Sequence, residues 1–173
     1  MADLKHQHEK AVGDAFVMWL NARVGSNFAF VRAGEAPDLV YASRADELAI
    51  EVTTAYYDGK YAKLAWDLAL GRADTLEWTG QDFDEGLASE IVRLVGEKAT
   101  KRYGSNCLLL IDVQAPLTTA DELSDLLLKR AFPEDCLFSG IYVAGRFPAT
   151  SAQEGGYSVI SVKPLPSGFG NRA

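Results

Sequence analysis

The chain has 173 residues, 48% of them hydrophobic, which suits one domain with its own core. Seventeen Lys and Arg stand against 24 Asp and Glu, a net charge of −7, and this balance argues against a broad phosphate-gripping surface while leaving room for a local basic patch. No apolar run approaches the roughly 20 residues that cross a bilayer, and MADLKHQHEK is polar where a signal peptide carries its apolar segment, so a cytoplasmic protein without a membrane span is expected.

In KHQHEKAVGDAFVMWLNARV, residues 5–24, Val12, Phe16, Trp19 and Leu20 recur at helical spacing. Gly25 follows where a left-handed C-terminal cap is wanted, so the spacing predicts a first helix. Glu9 lies on the same stripe, an acid on a packing face; either a functional role or the helix dipole at the first turn accounts for it. His6 and His8 point to different helix faces, with no third ligand nearby, and are not expected to form a metal pair.

FAFVR at 28–32 reads as a short strand, GEAP breaks it, and DLVYAS (38–43) and LAIEVTTAY (48–56) form two more strands around the polar RADE turn. A meander of three strands is the natural result. In the stretch 58–84, YAKLAWDLAL suggests a short helix and GRADTLEWTGQDF a loop. LASEIVRLVGEKATKRY (87–103) is periodic again, with Leu87, Ile91, Leu94 and Val95 on one stripe and Gly104 as its cap. Lys98 continues that stripe toward the sheet; it either snorkels at the helix end or brings its ammonium to the cation site, where it supports a phosphate or a nucleophilic water.

CLLLIDV (107–113) is nearly all apolar and predicts a strand covered on both faces. Thr118 or Thr119 caps a helix over ADELSDLLLKRAF, and strands follow at FSGIYVA (138–144) and YSVISV (157–162). The tail PLPSGFGNRA, from about residue 164, is too rich in Pro and Gly to add structure and is expected to be mobile. Cys107 and Cys136 lack CxxC spacing and are expected to be buried free thiols. The element order predicts one α/β domain, a mixed central sheet with helices on both faces.

Two of these strands carry carboxylates. Alternation along 48–54 puts Glu51 and Thr53 on one face, and a hairpin centred near residue 45 brings Asp38 level with Glu51. Two adjacent carboxylates repel unless a cation stands between them. Hard Mg²⁺ commonly binds through one or two carboxylates and otherwise keeps its waters, so it suits such a pair.

Pro37-Asp38, twelve residues, then Glu51-Val52-Thr53 resembles the PD-(D/E)XK signature of the restriction-endonuclease-like nucleases. The initial helix bearing Glu9 and the periodic helix after the motif strand are similar too, over about residues 5–115. The resemblance implies Mg²⁺- or Mn²⁺-dependent hydrolysis of DNA phosphodiester bonds, in a restriction, repair or mobile-element setting. Asp38 and Glu51 would be metal ligands, Glu9 an accessory ligand, DNA the partner, and a homodimer is compatible with it. This sequence departs from the pattern in one respect: Thr53 stands where the motif has lysine. A threonine hydroxyl orients a water but carries no charge, so Lys98, or Lys60 and Lys63 in YYDGKYAK, are the candidates to replace it. The catalytic set is then Asp38, Glu51, Thr53 and Lys98.

Two other readings compete. One is a catalytically inactive protein of the same fold, serving as a DNA-associated or protein-interaction module. The other is an unrelated small-molecule or interaction domain, with Asp38 in a turn and Glu51 on an exposed edge strand. Tyr56, Tyr57, Tyr61 and Trp66 fit either base stacking or core filling. With both histidines in the first eight residues and no GxSxG or P-loop spacing, nucleophilic-triad and nucleotide-cradle chemistry have no support.

Overall fold

The computed structural model describes residues 2–56, 82–103, 106–114, 118–133, 135–148 and 156–166. The readings made on Tyr57, Lys60, Tyr61, Lys63, Trp66, Gly104 and residues 167–173 lie outside them. The elements are α1 (Ala2–Val24), β1 (Ala29–Ala33), β2 (Leu39–Ala42), β3 (Glu47–Ala55), α2 (Phe83–Ala99), β4 (Cys107–Gln114), α3 (Ala120–Leu128), β5 (Gly140–Phe147) and β6 (Gly156–Lys163). They build one six-stranded mixed sheet in the order β1-β2-β3-β4-β5-β6. β1, β2 and β3 form the antiparallel meander, β3, β4 and β5 run parallel, and β6 returns antiparallel to β5.

Alternation along β4 shows why its sequence is apolar throughout. Leu108 and Leu110 point into a core with Phe16, Val17 and Leu20 of α1, whereas Cys107, Leu109, Ile111 and Val113 point into a core with Leu87, Ile91 and Val95 of α2 and Leu123 and Leu127 of α3. A strand between two helical layers has no face for water. The predicted α/β class, with helices on both sides of a mixed sheet, is the observed one, and Cys107 and Cys136 are buried free thiols.

Ends of helices follow local chemistry. Gly25 takes φ +68, and its N–H donates to the Asn21 carbonyl, closing α1 as a left-handed cap. Of the two threonines, Thr119 caps α3: its side chain accepts from the Glu122 N–H while the Glu122 carboxylate accepts from the Thr119 N–H. α2 begins at Phe83, earlier than the stripe from Leu87 suggests; Phe83 is buried one turn ahead of Leu87, and Asp84 and Glu85 favour the positive end of the helix dipole. No helix of the described residues is long and apolar enough to cross a membrane.

Candidate active site

The hairpin β2–β3 sets the site. Leu39 pairs with Ile50, so Asp38 and Glu51 stand one step beyond the last register pair, on the same face. β2 ends there while β3 runs on to Ala55, which leaves a notch in the sheet. The Val52 N–H faces that notch, and Asp38 Oδ2 accepts from it at 2.8 Å. Both carboxylates are 5% exposed. The strand that carries Glu51, β3, lies inside the sheet between β2 and β4, and Glu51 is buried, which overturns the reading that places it on an exposed edge.

Glu51 and Thr53 face α2, and Lys98 reaches over from the last turn of that helix. Its Nζ donates to Glu51 Oε1 at 2.6 Å. The stripe 87, 91, 94, 98 therefore does carry an ammonium to the motif acid. Glu51 Oε2 is buried and makes no hydrogen bond. The Tyr103 hydroxyl, buried nearby and also short of a well-aligned hydrogen bond, faces Glu51: burial first, then the Glu51 charge and a loose bond to its carboxylate, raise its pKa. Burial, then the Glu51 charge, also pushes the Cys107 thiol up to about 12, so it stays protonated.

Burial also moves the Asp38 carboxyl upward. Desolvation raises its pKa to about 6; the Val52 N–H pulls the other way, and the negative charges of Glu51 and Glu9 add to the rise. Three acids thus feel one another. Glu9 stands on α1, which packs on the other face of the sheet, and its charge is felt at Asp38. It is itself 5% exposed, and its oxygens are held by Lys5 Nζ at 3.0 Å and His6 Nδ1 at 3.2 Å.

Among the described residues, no group of three or more His, Cys, Asp and Glu side chains is drawn together as a metal cluster. In this arrangement, ammonium and imidazole groups sit on Glu9 and Glu51 instead. The donor set nonetheless suits a hard divalent cation: two buried carboxylates side by side, one with an orphaned oxygen and the other with a raised pKa.

A further acid was concealed in the apolar run of β4. Asp112 is 8% exposed and sits on the α1 face, level with Thr54 of β3. His8 Nε2 stands 3.2 Å from Asp112 Oδ2, off the line of a hydrogen bond, and Asp112 raises the His8 pKa. The helical phase separates His8 from Glu9, so the sequence links neither to Asp112; an acid inside CLLLIDV was the available signal.

No protein-family model and no curated protein matches the chain. Among solved structures, it is similar to SfsA of Pyrococcus furiosus in complex with Ca²⁺, at 14% identity and a TM-score of 0.30, the match covering 91% of this chain. The chain spans 61% of that one. An overlap this loose carries no residue correspondence.

Proposed function

We infer that the protein is a metal-dependent nuclease that hydrolyses DNA phosphodiester bonds, with Asp38 and Glu51 as the residues that hold Mg²⁺ or Mn²⁺. The observation that carries this reading is the pairing of two buried carboxylates across β2 and β3, with an orphaned oxygen on Glu51 and a carboxyl raised to about 6 on Asp38. A fold gains nothing in stability from such a pair without a cation. When bound, the ion supplies Lewis-acid polarisation of the phosphoryl oxygen and lowers the pKa of a water ligand.

The chain's own residues divide the remaining work. Lys98, held by Glu51, provides the positive charge that Thr53 lacks, at the place where negative charge grows on a phosphorane-like transition state. Thr53, half-buried on the same face as Glu51, orients a water or a phosphate oxygen through its hydroxyl. Asp38 is oriented by the Val52 N–H. Glu9 stands as an accessory acid.

Plasmid and oligonucleotide cleavage with Mg²⁺ and with Mn²⁺ tests this, comparing wild type with Asp38→Ala and Glu51→Ala. Cation-dependent cutting by the wild type, reduced at least about a hundredfold in each variant, is expected from the loss of a ligand that holds the reacting phosphate in place. Cation binding without cutting would favour the non-catalytic module of the same fold, for which the threonine at position 53 is the supporting observation.

A further inference from the structure

Lys5 has no part in the motif, yet it is the cation that answers the whole acidic group. Its Nζ lies 3.0 Å from Glu9 Oε1; the hydrogen bond to Glu9, opposed by burial and aided by the charges of Glu9, Asp38 and Glu51, raises its pKa. The two lysines of the site differ in freedom. Lys98 is 15% exposed and held against a buried partner, whereas Lys5 is 63% exposed and stands on the first turns of α1, open to solvent.

We propose that Lys5 is a phosphate-contacting residue of the site, parked on Glu9 as a counter-ion while no divalent cation is bound and released to the substrate backbone when one is. This rests on the carboxylate reading above. Three carboxylates set against two ammonium groups leave one net negative charge, which repels a phosphodiester. A divalent cation on the acids reverses that balance to one net positive charge, matching the single negative charge of a phosphodiester. Competition follows from the same geometry. A cation held on Asp38 and Glu51 also draws on the Glu9 charge and weakens the hold of Glu9 on Lys5, and the long stem of Lys5 then frees its ammonium for the substrate backbone.

The proposal makes Lys5 oppose cation binding and assist nucleic-acid binding, a combination that a purely structural lysine would not show. Three full-length proteins test it: wild type, Lys5→Met and Lys5→Arg. Lys10→Met serves as a charge control, because Lys10 is paired with Asp14 and lies over the Phe30 ring. Mn²⁺ affinity is measured by calorimetry. Affinity for a short DNA duplex is measured by fluorescence anisotropy in a chelator and in Ca²⁺, the latter to keep the duplex intact.

Lys5→Met is expected to bind Mn²⁺ about two- to fivefold tighter than wild type, since an exposed competing charge is gone. It is also expected to lose about three- to tenfold in duplex affinity in Ca²⁺, with little change in chelator. Lys5→Arg should keep the duplex affinity, and Lys10→Met should move neither quantity in this pattern. If the wild type binds Mn²⁺ and either shift is missing in Lys5→Met, the role of Lys5 is overturned while the carboxylate reading stands. If the wild type binds no Mn²⁺, the carboxylate reading falls and this proposal with it.

Discussion

Burial holds the Asp38 carboxyl near 6, against an ordinary value of 3.8, so the fold keeps a charge where charge is disfavoured. In the unfolded chain the proton leaves near 3.8, and in the fold it stays until about 6. Between those values the native state binds the extra proton, and stability therefore falls as pH rises through that window. Below about pH 4 both states are protonated and the penalty disappears. Asp38→Asn keeps an oxygen for the Val52 N–H and removes the charge. In metal-free protein it should be more stable than wild type by about 1–3 kcal/mol near pH 8, with the gain vanishing near pH 4. Urea melts at the two pH values measure this, and a gain independent of pH would refute the buried-charge account. Lys98 shows the complementary case. Its removal would leave the buried Glu51 carboxyl without its ammonium partner.

At the scale of elements, the site depends on how closely α1 crosses β2. Gly13 lies at that crossing, and a Cβ there would run into Leu39 Cδ1 and the Tyr41 hydroxyl. Leu39 and Tyr41 are fully buried, and the Tyr41 hydroxyl is tied to Asp14 Oδ1 at 2.8 Å, so neither can give way easily. Intrinsic propensity favours Ala over Gly in a helix by about 1 kcal/mol, whereas overpacking a core costs about 1–3 kcal/mol. Gly13→Ala should consequently destabilise the protein by up to about 2 kcal/mol in chemical denaturation. A neutral or stabilising result would mean that α1 has room to move, and Glu9, one turn away, with it. The elements themselves were largely legible: strict alternation in 48–54 and the apolar run at 107–113 fix faces without any knowledge of neighbours. Hairpin counting brought Asp38 to Glu51 because a turn determines register locally. What the sequence withheld depends on distant packing. Asp112 meets His8, and the charges of Asp38 and Glu51 reach Lys5, only because α1 packs across the sheet.

Across the whole molecule, two cores hold the sheet from either side while the acids gather where β2 stops short of β3. This separates packing from charge: β4 carries the packing, and the acidic notch carries like charges that the packing must tolerate. A ligand that binds only the folded notch stabilises the whole chain by RT ln(1 + [L]/Kd), about 2.7 kcal/mol at a hundredfold excess over Kd. For a chain of this size that corresponds to a rise in Tm of roughly 5–10 °C. Mn²⁺ should therefore raise the Tm of the wild type and leave Asp38→Ala and Glu51→Ala where they were without it. The effect also has a direction with pH. Asp38 must give up its proton, held until about 6, before it can act as a ligand, so the rise should shrink as pH falls from 7.5 toward about 5. Differential scanning calorimetry with and without Mn²⁺ at these two pH values reads both effects. An equal rise in wild type and variants would place the cation elsewhere on an acidic surface, and a rise that ignores pH would remove Asp38 from its ligands.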